Sequence, residues 1–399
     1  MSEWVKVCLG DLIKVKHGFA FPGQFITSDV TDRILVTPGN FCIGGGFKQG
    51  KLKYFSSHDY PAEYQFSGGE LIVTMTDLSK ETDTLGYSAI VPRDGLTYLH
   101  NQRVGLVEHL SDQSDSKFLY WLMRWRDYQE FIVNSASGTS VMHTSPSRIC
   151  EFEFELPSLP EQKAIASVLS SLDDKIDLLH RQNKTLEEMA ETLFRQWFIE
   201  EAKEDWEDGT LSDIASNIRI NVNTDSIGQD DKYIGLEHID RRKIALSQHG
   251  LGSDVSSNKS RFEPYDILFG KLRPYFHKVC ITPFSGICST DILVLRPKAK
   301  VWTAFTLFAF FQDSVVEFAN LGSGGTRMPR ADWKALSQYP IAIPPINLVE
   351  QFEYSIRPSI DKIFSNLEQI QTLGNLRDTL LPKLMSGEVR VQYQTEEVA

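Results

Sequence analysis

The chain has 399 residues, 41% of them hydrophobic, and a formal net charge of −12 at pH 7. This length suits two domains of roughly 150 residues with connectors between them. The first ten residues lack a basic start with an apolar run, and the most apolar stretch, 302–311, is too short to cross a bilayer. We therefore expect neither a secretory signal nor a membrane segment. Five cysteines without a C-x-x-C pair predict a reducing cytoplasm.

The acidic charge is distributed unevenly along the chain. Residues 160–208 carry 6 basic and 13 acidic side chains, whereas residues 209–345 carry 16 basic and 13 acidic ones. The negative net charge therefore does not exclude a local anion-binding surface in the second half of the chain.

The sequence pattern predicts a first globular domain over residues 1–155, with several strands and one helix. Apolar runs at 70–75 and 103–107 predict strands, and clusters of Pro, Gly, Asn and Asp separate such runs. Residues 116–134 predict one helix with an aromatic face, which ends in a Gly/Ser/Thr loop at 135–140. This combination is typical of an α+β domain.

Residues 156–205 predict a first long spacer helix. Its apolar positions alternate in steps of four and three residues, which is the seam of a coiled coil. Asn183 falls on this seam, where a buried amide would fix the register; an exposed Asn at an imperfect seam is the alternative. The seam positions are Ile165, Leu169, Leu172, Ile176, Leu179, Asn183, Leu186 and Leu193.

The second half of the chain predicts the same order of elements. Residues 206–345 predict a second mixed domain, with one helix over 302–320, and residues 346–390 predict a second long helix before a tail at 391–399. Pro358 would kink this helix unless it lies in the first turn. The second seam consists of Ile356, Ile360, Ile363, Leu367 and Ile370. We expect the two long helices to pack antiparallel.

Short matches between the two halves recur at one constant separation. Phe118 and Phe305, Asp174 and Asp361, and Thr192 and Thr379 each lie 187 residues apart. One offset that holds over such a length indicates an internal duplication, and hence two similar binding surfaces.

Motifs for catalysis are weak in this sequence. The segment 45–51 matches most of a phosphate-binding loop, but Leu52 replaces the required Ser/Thr and a strand-like run follows, so we interpret it as a surface turn. We find no nucleophile elbow, no H-E-x-x-H motif and no metal-spaced His/Cys cluster. The sequence favours a binding protein over an enzyme.

The chain resembles the specificity subunit of bacterial or archaeal type I restriction-modification enzymes. The resemblance covers nearly the whole chain and rests on 156–165, 172–177, 193–198 and 380–388, with strand segments such as 266–275 similar to target-recognition domains. One departure is the segment 346–349, which separates Pro345 from Glu350, whereas Pro160 directly precedes Glu161.

The resemblance implies a division of labour within a cytoplasmic complex. Each recognition domain would read one half of a bipartite double-stranded DNA target, and the helices would set the gap and dock two modification subunits. Those subunits would use S-adenosylmethionine to methylate adenine, and restriction subunits would use ATP and Mg²⁺. The chain itself would hold no cofactor and no metal and would catalyse no reaction.

Candidate DNA contacts are polar side chains that follow strands or lie near the Gly/Ser loops. Arg and Lys suit guanine and phosphates, and Asn and Gln suit adenine. For each of them the alternative is an ordinary surface or structural polar residue. The candidates are Thr74, Thr76, Lys80, Gln102, Arg103, His143 and Arg148 in the first domain, and Lys271, Arg273, His277, Lys278, Arg327 and Arg330 in the second.

Two other functions remain open from the residues alone. One is the specificity subunit of another bipartite restriction system, in which one partner chain both cuts and methylates. The other is a coiled-coil scaffold protein without a DNA function.

Overall fold

A computed structural model of the chain describes residues 4–50, 52–77, 83–138, 141–321 and 329–392. The chain divides into two compact units. The first combines the residues up to Lys175 with those from Leu373 onward, and the second runs from Ile176 to Thr372. Both units mix helices with strands, which confirms the predicted α+β class. This division cuts both long helices, whereas the predicted domain boundaries kept each long helix as a segment of its own.

The first unit is built on a four-stranded antiparallel sheet and also contains a second four-stranded sheet. Its elements are β1 (Val5–Cys8), α1 (Leu9–Leu12), β2 (Ile13–His17), β3 (Ile26–Thr27), β4 (Arg33–Val36), β5 (Lys53–Phe55), β6 (Leu71–Thr74), β7 (Thr76–Asp77), β8 (Ser88–Ile90), β9 (Thr97–His100), β10 (Val104–His109), α2 (Ser116–Leu122), α3 (Arg126–Asn134), β11 (Met142–His143), α4 (Pro146–Cys150), β12 (Glu153–Leu156) and the start of α5 (Leu159–Arg195). The central sheet has the order β2-β10-β6-β8, and the second sheet has the order β3-β5-β4-β9. Two short pairs, β1 with β12 and β7 with β11, complete the pairing among the described strands.

The second unit repeats this plan. Its elements are β13 (Glu207–Thr210), α6 (Leu211–Ile214), β14 (Ala215–Ile218), β15 (Asn221–Val222), β16 (Lys232–Ile234), β17 (Gly250–Leu251), β18 (Lys259–Phe262), β19 (Ile267–Gly270), β20 (Val279–Ile281), β21 (Gly286–Cys288), β22 (Ile292–Pro297), α7 (Thr303–Phe311), α8 (Asp313–Leu321), α9 (Trp333–Leu336), β23 (Pro340–Ile343) and most of α10 (Ile346–Met385). The sheet β14-β22-β19-β20 has the same chain order as β2-β10-β6-β8, and β13 pairs with β23 as β1 does with β12.

Each central sheet packs against a pair of helices, where the sequence predicted a single helix. In the first unit Trp125, which lies between α2 and α3, has an extended backbone, and in the second unit Gln312, which directly follows α7, is also extended. The sequence predicted one continuous helix over each of 116–134 and 302–320, and both predictions were wrong in this respect. The physical reason is burial: every residue of α7 is buried, whereas α8 buries only one face. A break lets both helices bring their apolar sides to the core.

The cores lie between these helices and the sheets. In the first unit Phe118 and Trp121 pack in one cluster with Val73. In the second, Phe308 packs in one cluster with Phe269. Full burial of each such side chain contributes about 1.5–3 kcal/mol.

In the second unit, α5 and α10 pack antiparallel. Phe194 and Phe352 have ring centroids 5.9 Å apart, and Nδ2 of Asn366 donates to Oδ1 of Asn183 at 2.7 Å. Asn183 and Asn366 are both buried, and Oδ1 of Asn366 has no hydrogen-bond partner among the described residues. Asn183 therefore lies inside the helix pair and is hydrogen-bonded to Asn366, a residue that the predicted second seam did not include.

The other seam residues are divided between the two units. Ile165 and Leu169 lie in the core of the first unit together with Leu384 and Met385. In the second unit Leu179 is buried, and the core includes Ile356, Ile360 and Ile363 with Leu186, Leu193 and Leu367 packed against it. Leu172, Ile176 and Ile370 are half-buried.

Helix α10 begins at Ile346 and runs through Pro358 without interruption. Pro358 lies well beyond the first turn, and it does not end the helix. Proline removes the hydrogen bond to the carbonyl four residues earlier, at Tyr354. Both Pro358 and Tyr354 are exposed, so water can replace the missing donor.

One buried carboxylate joins distant parts of the chain in the first unit. Glu161, in the first turn of α5, is 1% exposed. It accepts from Nε1 of Trp4 at 3.1 Å and from Nη2 of Arg390 at 2.8 Å, and Arg390 also bonds through Nε. The charge of Glu161 is therefore paired and hydrogen-bonded on both oxygens, which a buried carboxylate requires.

Candidate nucleic-acid interface

A cleft of about 460 Å³ opens at one end of the central sheet in the first unit. It is reached by the end of β2, by the turn before β10 and by the short pair of β7 with β11. Gly18 permits this geometry, because a Cβ there would lie 2.2 Å from the carbonyl oxygen of Asn101. The polar and charged side chains that line the cleft are His17, Thr76, Gln102, Arg103, His143 and Thr144.

Four of the predicted DNA contacts therefore come together in this cleft. Oγ1 of Thr76 and Nδ1 of His143 are 3.0 Å apart, so the pairing of β7 with β11 fixes the imidazole. Gln102 and Arg103 are exposed, and Oδ1 of Asn101 accepts from the backbone N–H of Arg103 at 3.0 Å. With His17, the cleft offers one amide, one guanidinium and two imidazoles to a ligand.

Three other candidates of the first domain are not part of this cleft. Thr74 is fully buried and its hydroxyl donates to the carbonyl of Thr76 at 3.0 Å, so the prediction that it contacts DNA was wrong. Arg148 is exposed on α4, where Nη1 donates to Glu151 at 2.7 Å, and it does not line the cleft. Lys80 lies outside the described residues.

The equivalent place in the second unit follows from strand register. Val104 pairs with Thr74 in the first sheet, and Ile292 pairs with Gly270 in the second. Asp291, just before β22, therefore occupies the position of Arg103. By the same register, Arg219 takes the position of His17, and Arg330 takes that of His143.

Arg330 is tied to the strand end by backbone contacts. Leu272 and Arg330 form a β-bridge. On either side of it, the N–H of Ala331 donates to the carbonyl of Lys271 at 2.9 Å, and the N–H of Arg273 donates to that of Pro329 at 2.8 Å. This pairing is the counterpart of β7 with β11 in the first unit.

Four charged groups meet at this end of the second sheet. Nζ of Lys271 donates to the carbonyl of Thr290 at 2.6 Å, and Nη2 of Arg330 donates to Oδ1 of Asp291. Burial lowers the pKa of Lys271 from its ordinary value; the Asp291 carboxylate opposes this shift, and the charges of Arg219 and Arg330 add to it. The group Arg219, Lys271, Asp291 and Arg330 is called the second-unit cluster below.

The remaining candidates of the second domain have mostly structural contacts. His277 is 3% exposed and its Nδ1–H donates to Asp313 at 3.1 Å, so the prediction that it contacts DNA was wrong. Nζ of Lys278 donates to the carbonyl of Leu236, and burial lowers its pKa, as it does for Lys271, so a DNA contact of Lys278 stays a prediction. Arg273 is half-buried with a left-handed φ of 52°. Arg327 lies outside the described residues.

Sequence reasoning missed His17, Arg219 and Asp291. The signal that could have found them is the end of a strand rather than a motif: His17 ends β2, Arg219 directly follows β14 and Asp291 directly precedes β22. Within the described ranges, no group of three or more His, Cys, Asp or Glu could hold a metal ion, and all five cysteines are free. None of the described helices is long and apolar enough to span a membrane.

Comparisons with known proteins show which proteins the chain is similar to. Residues 1–188 match the family described as Type I restriction modification DNA specificity domain. The chain is 24% identical over 343 residues to the MjaIX specificity subunit of Methanocaldococcus jannaschii, covering 78% of this chain and 73% of the relative. It is 23% identical to the HindI specificity subunit of Haemophilus influenzae, covering 98% of this chain and 100% of the relative.

A solved structure shares the fold. The S subunit of a type I restriction-modification system from M. genitalium superposes with a TM-score of 0.62 at 17% identity, over 96% of each chain. Two units with equivalent sheets, two long helices and similarity along the chain agree with this match. Residues 1–188 thus match a type I restriction DNA specificity domain, and the chain is similar over most of its length to type I restriction enzyme specificity subunits.

Proposed function

We propose that the chain is the DNA sequence-specificity subunit of a type I restriction-modification complex, in which each unit reads one half of a bipartite target. The observation that carries this proposal is the repeated strand-end site. The strand end that bears His17, Arg103 and His143 in the first unit bears Arg219, Asp291 and Arg330 at the equivalent positions in the second, with Lys271 beside them. Exposed cations and amides at such a place suit phosphates and base edges.

The chemistry of the two sites favours nucleic acid over a small-molecule substrate. The open cleft of the first unit has mostly polar and charged side chains in its lining, unlike the apolar pockets that hold small ligands, and Arg219 and Arg330 are exposed in the second-unit cluster. Methylation with S-adenosylmethionine and cleavage with ATP and Mg²⁺ would reside in partner subunits, so the chain would bind no cofactor of its own.

We further propose that two modification subunits dock on grooves beside the long helices. In the first unit a groove of about 400 Å³ lies along Lys163, Ser167 and Ser170 of α5. In the second a groove of about 960 Å³ lies along Glu350, Tyr354 and Arg357 of α10. These sets stand 187 residues apart, so the duplication repeats the groove with the fold. Restriction subunits would join the resulting complex.

A domain exchange tests the proposed function. The complex would be produced in cells with its partner subunits, and the methylated DNA motif would be mapped by single-molecule sequencing. Replacing residues 1–155 by the first domain of another family member should change one half-site and leave the other unchanged. A motif that is unaffected by the exchange would contradict recognition by this chain, and a scaffold without a DNA function would give that result.

An insertion tests the proposed spacing role of the helices. Four residues added after Glu200, which ends a π-helical turn that continues α5, would lengthen a helical path by about 6 Å. That length is close to two base-pair steps of roughly 3.4 Å. We expect both half-sites to persist and the gap between them to change. An altered half-site with an unchanged gap would contradict the spacing role.

A further inference from the structure

The second-unit cluster contains one carboxylate among three cations, and this carboxylate needs an explanation. A surface that binds phosphates gains affinity from each cation and loses it from each nearby anion. Asp291 nevertheless stands in contact with Arg330 and is only partly exposed, with 33% of its side chain accessible. In the first unit the same register position holds Arg103, so the fold does not require an acid there.

The contact of Asp291 orients a side chain whose backbone is already fixed. The β-bridge with Leu272 sets the Cα position of Arg330, and the carboxylate accepts from Nη2. The side chain of Arg330 remains 60% exposed, and among the described residues no other group bonds its guanidinium. Its head is thus held at one nitrogen while its other donors point to solvent.

Neighbouring cations are less suited to read a base. Nζ of Lys271 already donates to the carbonyl of Thr290, and its stem is half-buried. Arg219 is exposed and follows β14. No described carboxylate pairs with it, which suits a phosphate contact that tolerates several orientations. Arg330 alone combines an exposed guanidinium with a fixed direction.

We infer that Arg330 reads a guanine in the half-site of the second unit, and that Asp291 is the positioning residue that holds its guanidinium for this contact. This inference rests on the proposed function. Arg bonded in parallel to O6 and N7 of guanine is the commonest specific contact in the major groove, and such a pair discriminates by roughly tenfold to a hundredfold. An oriented guanidinium loses less conformational freedom when the contact forms.

The experiment uses the complete complex with its partner subunits and maps the methylated motif. The unaltered complex should methylate a motif with an invariant G·C pair in the second half-site. Arg330→Ala should relax that one pair to several bases, and Arg330→Lys should not restore it, because an ammonium cannot make two parallel bonds. Asp291→Asn should relax the same pair partially.

Two comparisons make the outcome decisive. Lys334→Ala removes an exposed cation from the nearby helix α9 and should leave the motif unchanged. If Arg330→Ala instead lowers methylation equally at all sites, Arg330 contacts phosphate and the inference is overturned. An unchanged motif in Arg330→Ala would also overturn it, while an intact first half-site would leave the proposed function standing.

Discussion

The two strand-end sites share a backbone frame and differ in the chemistry placed on it. In the first unit a hydroxyl holds His143, and Arg103 stands beside it. In the second a carboxylate holds Arg330, and a lysine is anchored to a backbone carbonyl. Duplication has therefore kept the pairing of strand end and loop while the side chains diverged. The fold therefore determines where the site lies, and a few exposed residues at that place would determine which bases are preferred.

The largest expected effect tests how the second unit depends on the helix pair. Leu179 is 2% exposed and its neighbour Leu178 is 50% exposed. Leu179→Asp would bury an unpaired charge and should lower the free energy of unfolding by several kcal/mol, on the order of 3–5. It should also prevent assembly of the complex, as measured by denaturant unfolding and native mass spectrometry.

The matched control for this change is Leu178→Asp, which places the same charge one residue earlier on the exposed face. It should alter stability by less than about 0.5 kcal/mol. If both variants assemble normally, the assignment of the buried seam is wrong.

A second prediction concerns the hydrogen bond between the amides of Asn183 and Asn366, which lies among apolar residues of the helix pair. Asn183→Leu would remove one acceptor of the buried Asn366, whose Nδ2 also donates to Oε1 of Gln182 at 2.9 Å, and should cost about 0.5–1.5 kcal/mol. The double variant Asn183→Leu, Asn366→Leu should recover most of that loss, because no orphaned polar group remains. A double-mutant cycle from urea unfolding measures this coupling, and purely additive effects would contradict it.

A third prediction addresses the first cleft alone. Arg103→Ala should weaken DNA binding of the complex, by about 1–3 kcal/mol if it contacts a base. A changed base preference would appear only in the first half-site. A phosphate contact would instead weaken binding uniformly and reduce the salt slope by about 1. Binding to variant duplexes at several salt concentrations distinguishes the two.

Arg93→Ala is the matched control, since Arg93 is exposed in the same unit but does not line the cleft. Loss of discrimination in the second half-site after Arg103→Ala would contradict the assignment of this cleft to one half-site.

The smallest expected effect is a shared dependence on pH. His100 and His277, one in each unit, are buried, and burial lowers the pKa of both. Burial is the largest cause for His100, and the hydrogen bond that its Nε2–H donates to the carbonyl of Val104 at 2.8 Å partly opposes this lowering of the pKa. A lowered folded-state pKa means that each histidine stabilises the fold above the unfolded value of about 6.5, and this stability is lost as the pH falls below it.

Thermal unfolding between pH 7.5 and 5 measures this effect. His100→Gln should flatten the pH dependence of the first unit and leave that of the second in place. The exposed His180→Gln, on α5, is the control and should leave the pH dependence unchanged. Stability that rises as the pH falls through this window would contradict the assignment.

Sequence reasoning reached the long helices because they depend on local periodicity, and it reached the duplicated plan because short matches recur 187 residues apart. The four-three spacing from Ile165 is visible without any structure. It failed at the break between α7 and α8, since the apolar run before Gln312 offers no polar or glycine signal. It also missed His17 and Arg219, because their place depends on pairing between strands that are far apart in the chain.

Thr74 and His277 were misjudged for a related reason. A hydroxyl or an imidazole that follows a strand has the same appearance in sequence whether it faces solvent or the interior. The structure buries both and gives each an internal acceptor, the carbonyl of Thr76 and the carboxylate of Asp313. Only the three-dimensional path of the chain separates these from Gln102 and Arg103.

The ion pair between Glu161 and Arg390 has a consequence for folding during synthesis on the ribosome. Arg390, and Leu384 and Met385 in the same unit, emerge long after the first unit's strands have been made. Until then Glu161 lacks its cation and part of the first core has no cover. The second unit, from Ile176 to Thr372, needs no later segment. Although domains usually fold from the N-terminus onward, here the second unit can mature first. Truncation before residue 384 should therefore damage the N-terminal unit, a defect detectable by limited proteolysis.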